Sequence, residues 1–575
     1  MVNNSSNKAL SIVKILPLVR HLGLLFVVVV ISACDQGKPP ELIIHGGTLL
    51  TMDPATEGAS AFAISHGNIT HVGSDDEILL LAGDNTKLVN LAGQTAIPAF
   101  NDAHAHSMGL PPGSVALENV KELSVLGELL RVAAVNKDEG EWVVGHGYDD
   151  TNFGGHLTRI QLDSFGIERP ILLIHNSLHL FLANSLALEN ANITATTPDP
   201  EGGFIRRDPD DEPTGLLGEM AAQSLLFVPA QPSPYPHDLS GALAGIDSFL
   251  QTALENGITS YGEALVPPKL ALLFWWTDPS SYGVRVNLML DGGSLDAAFA
   301  LKHFDEIASL IGWRPFSNPW LRARTIKIFH GMSLSGRTAR LHEPYADRPD
   351  YRGEEPQRSQ AELNQLVEAV HDAGFQAAIH ANGDYEIDMV LDAYARLIND
   401  AGTAARHRIE HGSIVSARIM QRMSDLKVVL APHSYIFEKG PMLEAYGEQR
   451  WPWMFANAST FDYGVVNAAN SDFPVSELSP LRRIQSLVTR TSREGKIYGP
   501  EQRLSVEQAL YAYTMGGAYA SFEEDVKGSI TPGKYADFVI LSADPRKVPQ
   551  QNIHKIEVLA TYSDGKLRYS KYEGR

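Results

Sequence analysis

The sequence is short of cysteine, of positive charge and of long apolar runs, and each shortage excludes something. A single cysteine, Cys34, rules out an intrachain disulfide. Lys and Arg total 47 against 68 Asp and Glu, a formal net charge of −21, and no stretch is dense in Lys or Arg. That balance excludes nucleic acid as a partner. Beyond the N-terminal segment no run has the length of about 20 apolar residues that a membrane-crossing helix needs. What is present is ordinary for a globular protein: 575 residues, 44% apolar and 20% charged. The length exceeds that of one typical domain and predicts a large unit with a smaller companion.

The N-terminus reads as an export signal. Lys8, Lys14 and Arg20 precede an apolar run at 22–31, followed by the small residues Ser32 and Ala33. The ending Ile31-Ser32-Ala33-Cys34 resembles a bacterial lipobox, which implies a signal peptide over 1–33, lipidation of Cys34 and a polar tether at 34–40. The expected product is an exported lipoprotein held to a membrane on the periplasmic or cell-surface side. The alternative is an uncleaved anchor, against which the shortness of the run argues.

Residues 41–98 predict short strands broken by turns, with stops at Gly46-Gly47 and at His66-Gly67-Asn68. The segment 528–575 has the same texture, turning at Pro532-Gly533 and Asp564-Gly565. The two ends together predict one small composite β-sandwich with a larger unit placed between them. That unit, 99–480 with further helices over 481–527, alternates strand and helix. Candidate strands follow the one ending at His104, at 257–261, 284–290, 324–329, 375–380, 406–411, 428–431 and 464–469, with helical patterns such as 359–372 and 384–398. Eight alternations predict a (β/α)8 barrel, an α/β fold, with about 110–235 inserted after the first strand.

Chemistry concentrates at the predicted strand ends. In Asn101-Asp102-Ala103-His104-Ala105-His106 the two histidines are two residues apart, so in a strand both imidazoles face one side, as a divalent metal requires. The fourth strand carries Lys327, the fifth His380, the sixth His411, and the eighth leads through Asn470-Ser471 to Asp472. Catalytic groups of a barrel gather at the C-terminal ends of its strands, where these six would form a hydrolytic metal centre.

These motifs, together with Trp142-Val143-Val144-Gly145-His146-Gly147, Pro213-Thr214-Gly215, Ile379-His380-Ala381-Asn382-Gly383-Asp384, Arg408-Ile409-Glu410-His411-Gly412 and Gly528-Ser529-Ile530-Thr531-Pro532-Gly533-Lys534, resemble the amidohydrolase superfamily, specifically amidohydrolase family 3, the YtcJ-like branch. The resemblance covers nearly everything after the leader. It implies that His104 and His106 bind one metal and that His380 and His411 hold a second. It implies that Lys327 bridges the two as a carbamate, and that Asp472 ligates and acts as general base. One or two divalent ions are implied, zinc first, with iron, manganese or cobalt compatible with the donors. The reaction implied is hydrolysis of a non-peptide C–N bond, amide or N-acyl, in a small molecule. The same centre could instead cleave C–O bonds, isomerise or decarboxylate, and a non-catalytic tethered binding protein is a third reading. A homodimer is compatible with such families.

Each residue also has a plainer reading. Lys327 could pair with a carboxylate, His380 and His411 could be hydrogen-bonded core residues, and Asp472 could cap the next helix. His179 is a candidate for substrate binding or a buried structural histidine. Glu219 could face the same pocket or cap a helix. Arg337 is a candidate clamp for a substrate carboxylate or a surface residue. Two positions depart from the family pattern: Ala99 replaces a common glycine, and His330 replaces a common aspartate and could add a nitrogen donor near the metals.

Overall fold

The computed structural model describes residues 38–572 apart from 108–109, 112, 136, 139, 201, 223–238 and 398–404. The leader, the lipidation candidate Cys34 and most of the tether lie outside the described residues. Among the described residues no helix is long and apolar enough to cross a membrane.

Eight strands form one parallel sheet in chain order: Phe100–Ala105, Ile258–Val266, Arg285–Asp291, Leu321–Phe329, Gln376–Ala381, Arg408–His411, Val429–Pro432 and Val466–Asn467. Each pairs in parallel with its predecessor. The sheet curls until its edges meet. Ala103 N donates to Ala469 O at 3.2 Å, Asp472 N to His104 O at 2.9 Å and His106 N to Phe473 O at 2.8 Å. The architecture is of the (β/α)8 type.

Local sequence explains the elements. Both faces of the barrel strands are covered, so Gln376–Ala381 is buried throughout. The helix Gln360–Asp372 starts at Ser359, whose hydroxyl accepts from Glu362 N while the Glu362 carboxylate returns to Ser359 N. It buries Leu363, Val367 and Val370 on the stripe that faces the strands. The eighth strand is shorter than the sequence predicts, two residues instead of the span 464–469. Ala468 N still reaches Leu430 O on the seventh strand, but from Ala469 the backbone turns to the first strand and to Ala512 O. A π-turn at Ala512–Gly516 presses on this seam, and Gly516 is required there because a Cβ would lie 2.0 Å from Asn467 O.

Between the first and second barrel strands, residues 115–219 hold a six-stranded mixed sheet. Its strand Ile171–His175 alternates in the period of two: Leu172 and Ile174 enter one apolar cluster, Ile171 and Leu173 the other. At the chain ends lie a four-stranded sheet from residues 42–90 and a five-stranded sheet joining Thr48–Leu49 and Thr95–Pro98 to Phe538–Leu541, Val558–Ser563 and Lys566–Ser570. The two sheets share one apolar cluster, in which the Phe62 and Phe538 rings meet edge to face at 5.0 Å.

The third barrel strand is tied to these end strands by a buried ion pair. Arg285 donates to both Asp537 oxygens, at 2.8 and 3.3 Å, with its guanidinium between the rings of Trp320 and Tyr535. Removing the cation would strand a buried carboxylate. Arg285→Met is expected to lower the free energy of unfolding by about 3 kcal/mol, read from denaturant melts of the two proteins.

Candidate metal centre

The groups at the strand ends converge on one carboxylate. Asp472 follows the eighth strand in the left-handed region, with φ 51°. Its Oδ1 lies 3.6 Å from both His104 Nε2 and His106 Nε2. Its Oδ2 lies 3.9 Å from His411 Nδ1 and 3.8 Å from His433 Nδ1. Lys327 Nζ stands 3.1 Å from His104 Nε2. His380 packs on His411 with ring centroids 4.5 Å apart. The structure therefore brings all six sequence-predicted residues to one place.

Anchors set the inward nitrogens. His104 Nδ1 donates to Glu410 Oε2 at 2.5 Å, and Arg408 holds that carboxylate with bonds of 2.7 and 2.9 Å. His106 Nδ1 donates to the Ala264 carbonyl at 3.0 Å. Both residues thus keep a bare Nε2 towards Asp472. His380 Nε2 lies 3.2 Å from the Met332 carbonyl, to which it donates, leaving Nδ1 as its free nitrogen. Asp102 accepts from His104 N and Ser471 N and so clasps the first strand to the turn before Asp472. Burial raises its carboxyl to about 6 against those bonds. Glu263, on the second strand, accepts from Ser107 N with both oxygens, and burial raises it to about 7.

Burial also sets the charge of the cluster. It holds the His104, His380 and His411 imidazoles well below their ordinary range, and His433 at about 3, so the rings stay neutral, the form that ligates. Burial works to raise Asp472 too, but its interactions with His106, His104 and His433 carry it below the usual carboxylate range. Burial brings the Lys327 ammonium down to about 8, although Glu410 and Asp472 pull the other way.

The donors fit a divalent ion. At this site two groups have ligand atoms within 4.8 Å of one another: His104, His106 and Asp472, and His411, His433 and Asp472. The Nδ1 atoms of His411 and His433 are buried and have no hydrogen-bond partner. Unpaired buried acceptors of this kind are costly unless something binds them. Asp472 belongs to both groups and presents one oxygen to each.

His433 carries no role in the sequence reading. It follows the seventh strand directly, the same strand-end position that singles out His380 and His411, and that position was the available signal. Glu410 sits inside a quoted motif, but only the fold shows that it orients His104. The helix-cap alternative for Asp472 fails, because Ser479 caps the next helix, Pro480–Thr489. Glu219 accepts from Thr338 Oγ1 at 2.6 Å and pairs with His179 Nδ1 at 2.6 Å. His179 packs against His380 at 5.1 Å between centroids, so it borders the cluster. Arg337 is engaged elsewhere, 2.9 Å from Asp150 and 3.6 Å from Asp347. His330 joins neither donor group; its ring is buried, with both nitrogens unpartnered. Ala99 is accommodated, its N–H donating to Asp537 O.

Neutral imidazoles arranged about a carboxylate at the C-terminal mouth of a parallel barrel define a metal-dependent hydrolase. Comparison with known proteins gives the family. Residues 87–569 match the amidohydrolase family, and the chain belongs to it, as a hydrolase acting on carbon–nitrogen bonds. N-substituted formamide deformylase of Arthrobacter pascens is 30% identical over 545 residues, covering 92% of this chain and 98% of that protein. LONG AFTER FAR-RED 3 of Arabidopsis thaliana is 31% identical over 548 residues, covering 93% and 92%. The crystal structure of an uncharacterized metal-dependent hydrolase from Pyrococcus horikoshii OT3 superimposes with a TM-score of 0.68 at 25% identity, covering 88% of this chain and 99% of that one.

The anchor of His104 can be tested directly. Glu410→Gln keeps the shape but weakens the acceptor, and is expected to reduce metal affinity by about 10- to 100-fold, measured by competition with a chromogenic chelator.

Proposed function

We propose that this chain hydrolyses the C–N bond of a small, non-peptide amide or N-acyl compound, with Asp472 as general base. The observation that carries the reading is the division of one carboxylate between two sets of imidazole nitrogens. His104, His106, His380, His411 and His433 would hold one or two divalent ions, zinc before iron, manganese or cobalt. When bound, such ions polarise a scissile carbonyl and acidify water to a pKa of about 7.

The protein's own groups do the rest. Asp472, ionised and buried, takes the proton from the attacking water and gives it to the departing nitrogen. Glu219 orients His179 beside the cluster, where it would contact the substrate. We assign Lys327 the carbamate form: its neutral amine adds to carbon dioxide, a proton is released, and the product offers two anionic oxygens where an ammonium offers none. Its position beside His104 supports this. A 13C signal from labelled bicarbonate, present in the metal-loaded protein and missing from Lys327→Met, would check it.

We extend the reading to the whole chain. The sheet at 115–219 is an insertion that supplies site residues, and the two end sheets form a β-sandwich. The mature protein would begin at a lipidated Cys34 and be membrane-anchored outside the cytoplasm.

Protein purified without chelators should carry divalent metal by elemental analysis and cleave N-formyl or N-acetyl amines. Asp472→Asn is expected to lower kcat by about 100- to 10,000-fold with an unchanged far-ultraviolet spectrum. Full activity of that variant, or metal-free protein that is fully active, would sink the reading.

A further inference from the structure

Lys439 ends the short helix Ile436–Lys439, which follows the seventh barrel strand. The preceding residue pins that helix, because Glu438 pairs with the buried Arg483. The Lys439 ammonium has three N–H donors, and one of them bonds to the backbone carbonyl of Asn176, in the turn between the strands Ile171–His175 and Leu180–Ala183. Its Nζ lies 5.3 Å from the centre of the Tyr435 ring. That ring packs at 4.0 Å on His433, which stacks at 4.2 Å on His411. The ammonium thus stands one aromatic ring beyond the cluster around Asp472.

Among the described residues Lys439 forms no ion pair. Asp472 and Asp149 attract it from a distance, yet burial still brings it down to about 8, which leaves it mostly charged at neutral pH. Among the described residues of this region Arg408 pairs with Glu410, Arg483 with Glu438 and Arg337 with Asp150, while Lys327, which forms no ion pair either, meets His104 Nε2 inside the cluster. A largely buried cation with unspent donors is expensive unless a counter-ion arrives.

We propose that Lys439 is a specificity-determining residue that receives an anionic group, such as a carboxylate, on the substrate of the neighbouring centre. Resting on the hydrolase reading, this narrows the substrate class to N-acyl compounds that carry a negative charge a few bonds from the scissile C–N bond. It also moves the anion-binding role from Arg337, where the sequence suggested it, to a residue one helix after His433.

The test uses the metal-loaded full chain and a matched pair of probes, N-acetylphenylalanine and N-acetylphenethylamine, which differ by the carboxylate. Calorimetric affinity and kcat/KM are measured for both. The wild type is expected to favour the carboxylate member by about tenfold or more. K439M should reduce that preference to near parity, and K439R, which keeps the charge, should retain part of it. A wild type without preference, or K439M that keeps the full preference, overturns the proposal. The two readings can fail separately. Charge-dependent binding without turnover of either probe counts against the hydrolase assignment and supports Lys439. Turnover without charge preference keeps the hydrolase and removes the anion site.

Discussion

A buried, ionised carboxylate surrounded by neutral imidazoles is the constraint on which the rest of this structure depends. Asp472 sits where burial favours its protonated form, yet its carboxyl lies below the usual range, and imidazole nitrogens face both of its oxygens across 3.6 to 3.9 Å, a gap that suits a shared cation. The segment that carries it also closes the barrel. Asp472 N bonds to His104 O, and His106 N bonds to Phe473 O, so the seam between the first and eighth strands and the centre of the site share one stretch of backbone. A shift in that seam would move the carboxylate and the first two histidines together. Asp102 reinforces it from within, accepting from both sides of the joint.

Around that centre, four imidazoles have one nitrogen held by something rigid. Glu410 serves His104, the Ala264 carbonyl serves His106, the Met332 carbonyl serves His380 and Glu219 serves His179. These holders come from strand ends, from loops and from the 115–219 sheet, so the geometry of the centre is distributed over the fold. A turn between strands of the same sheet supplies the carbonyl that steadies Lys439, which joins its position to the mouth of the barrel. Catalytic precision of this kind depends on supporting contacts as much as on the groups that would touch a substrate.

Much of this was legible before folding was considered. The pair His104 and His106 declares a shared direction through the period of a strand, and Lys327, His380 and His411 are each placed at or near the C-terminal end of a strand. Other features were hidden for physical reasons. His433 follows Pro432 with no second histidine at strand spacing, so its strand-end position was the one signal, and its stacking on His411 shows that it belongs to the cluster. Arg337 looked available because its partner Asp150 lies far away in the chain, in the short helical turn Asp150–Phe153. His330 looked like a donor by position, yet the fold leaves its ring outside both groups that could hold a metal. The eighth strand looked longer because its apolar run continues, but its backbone groups leave the ladder to close the seam.

By itself the sequence determined the repeating strand and helix units, the ends on which polar residues would fall and the residue types available for metal chemistry. These follow from periodicity, capping and turn composition, which act over a few neighbouring residues. Tertiary structure alone decided which nitrogen of each imidazole turns inward, which carboxylate each cation meets and which ammonium is left without one. Those outcomes depend on groups brought together from distant parts of the chain by burial, and burial is a property of the packed whole.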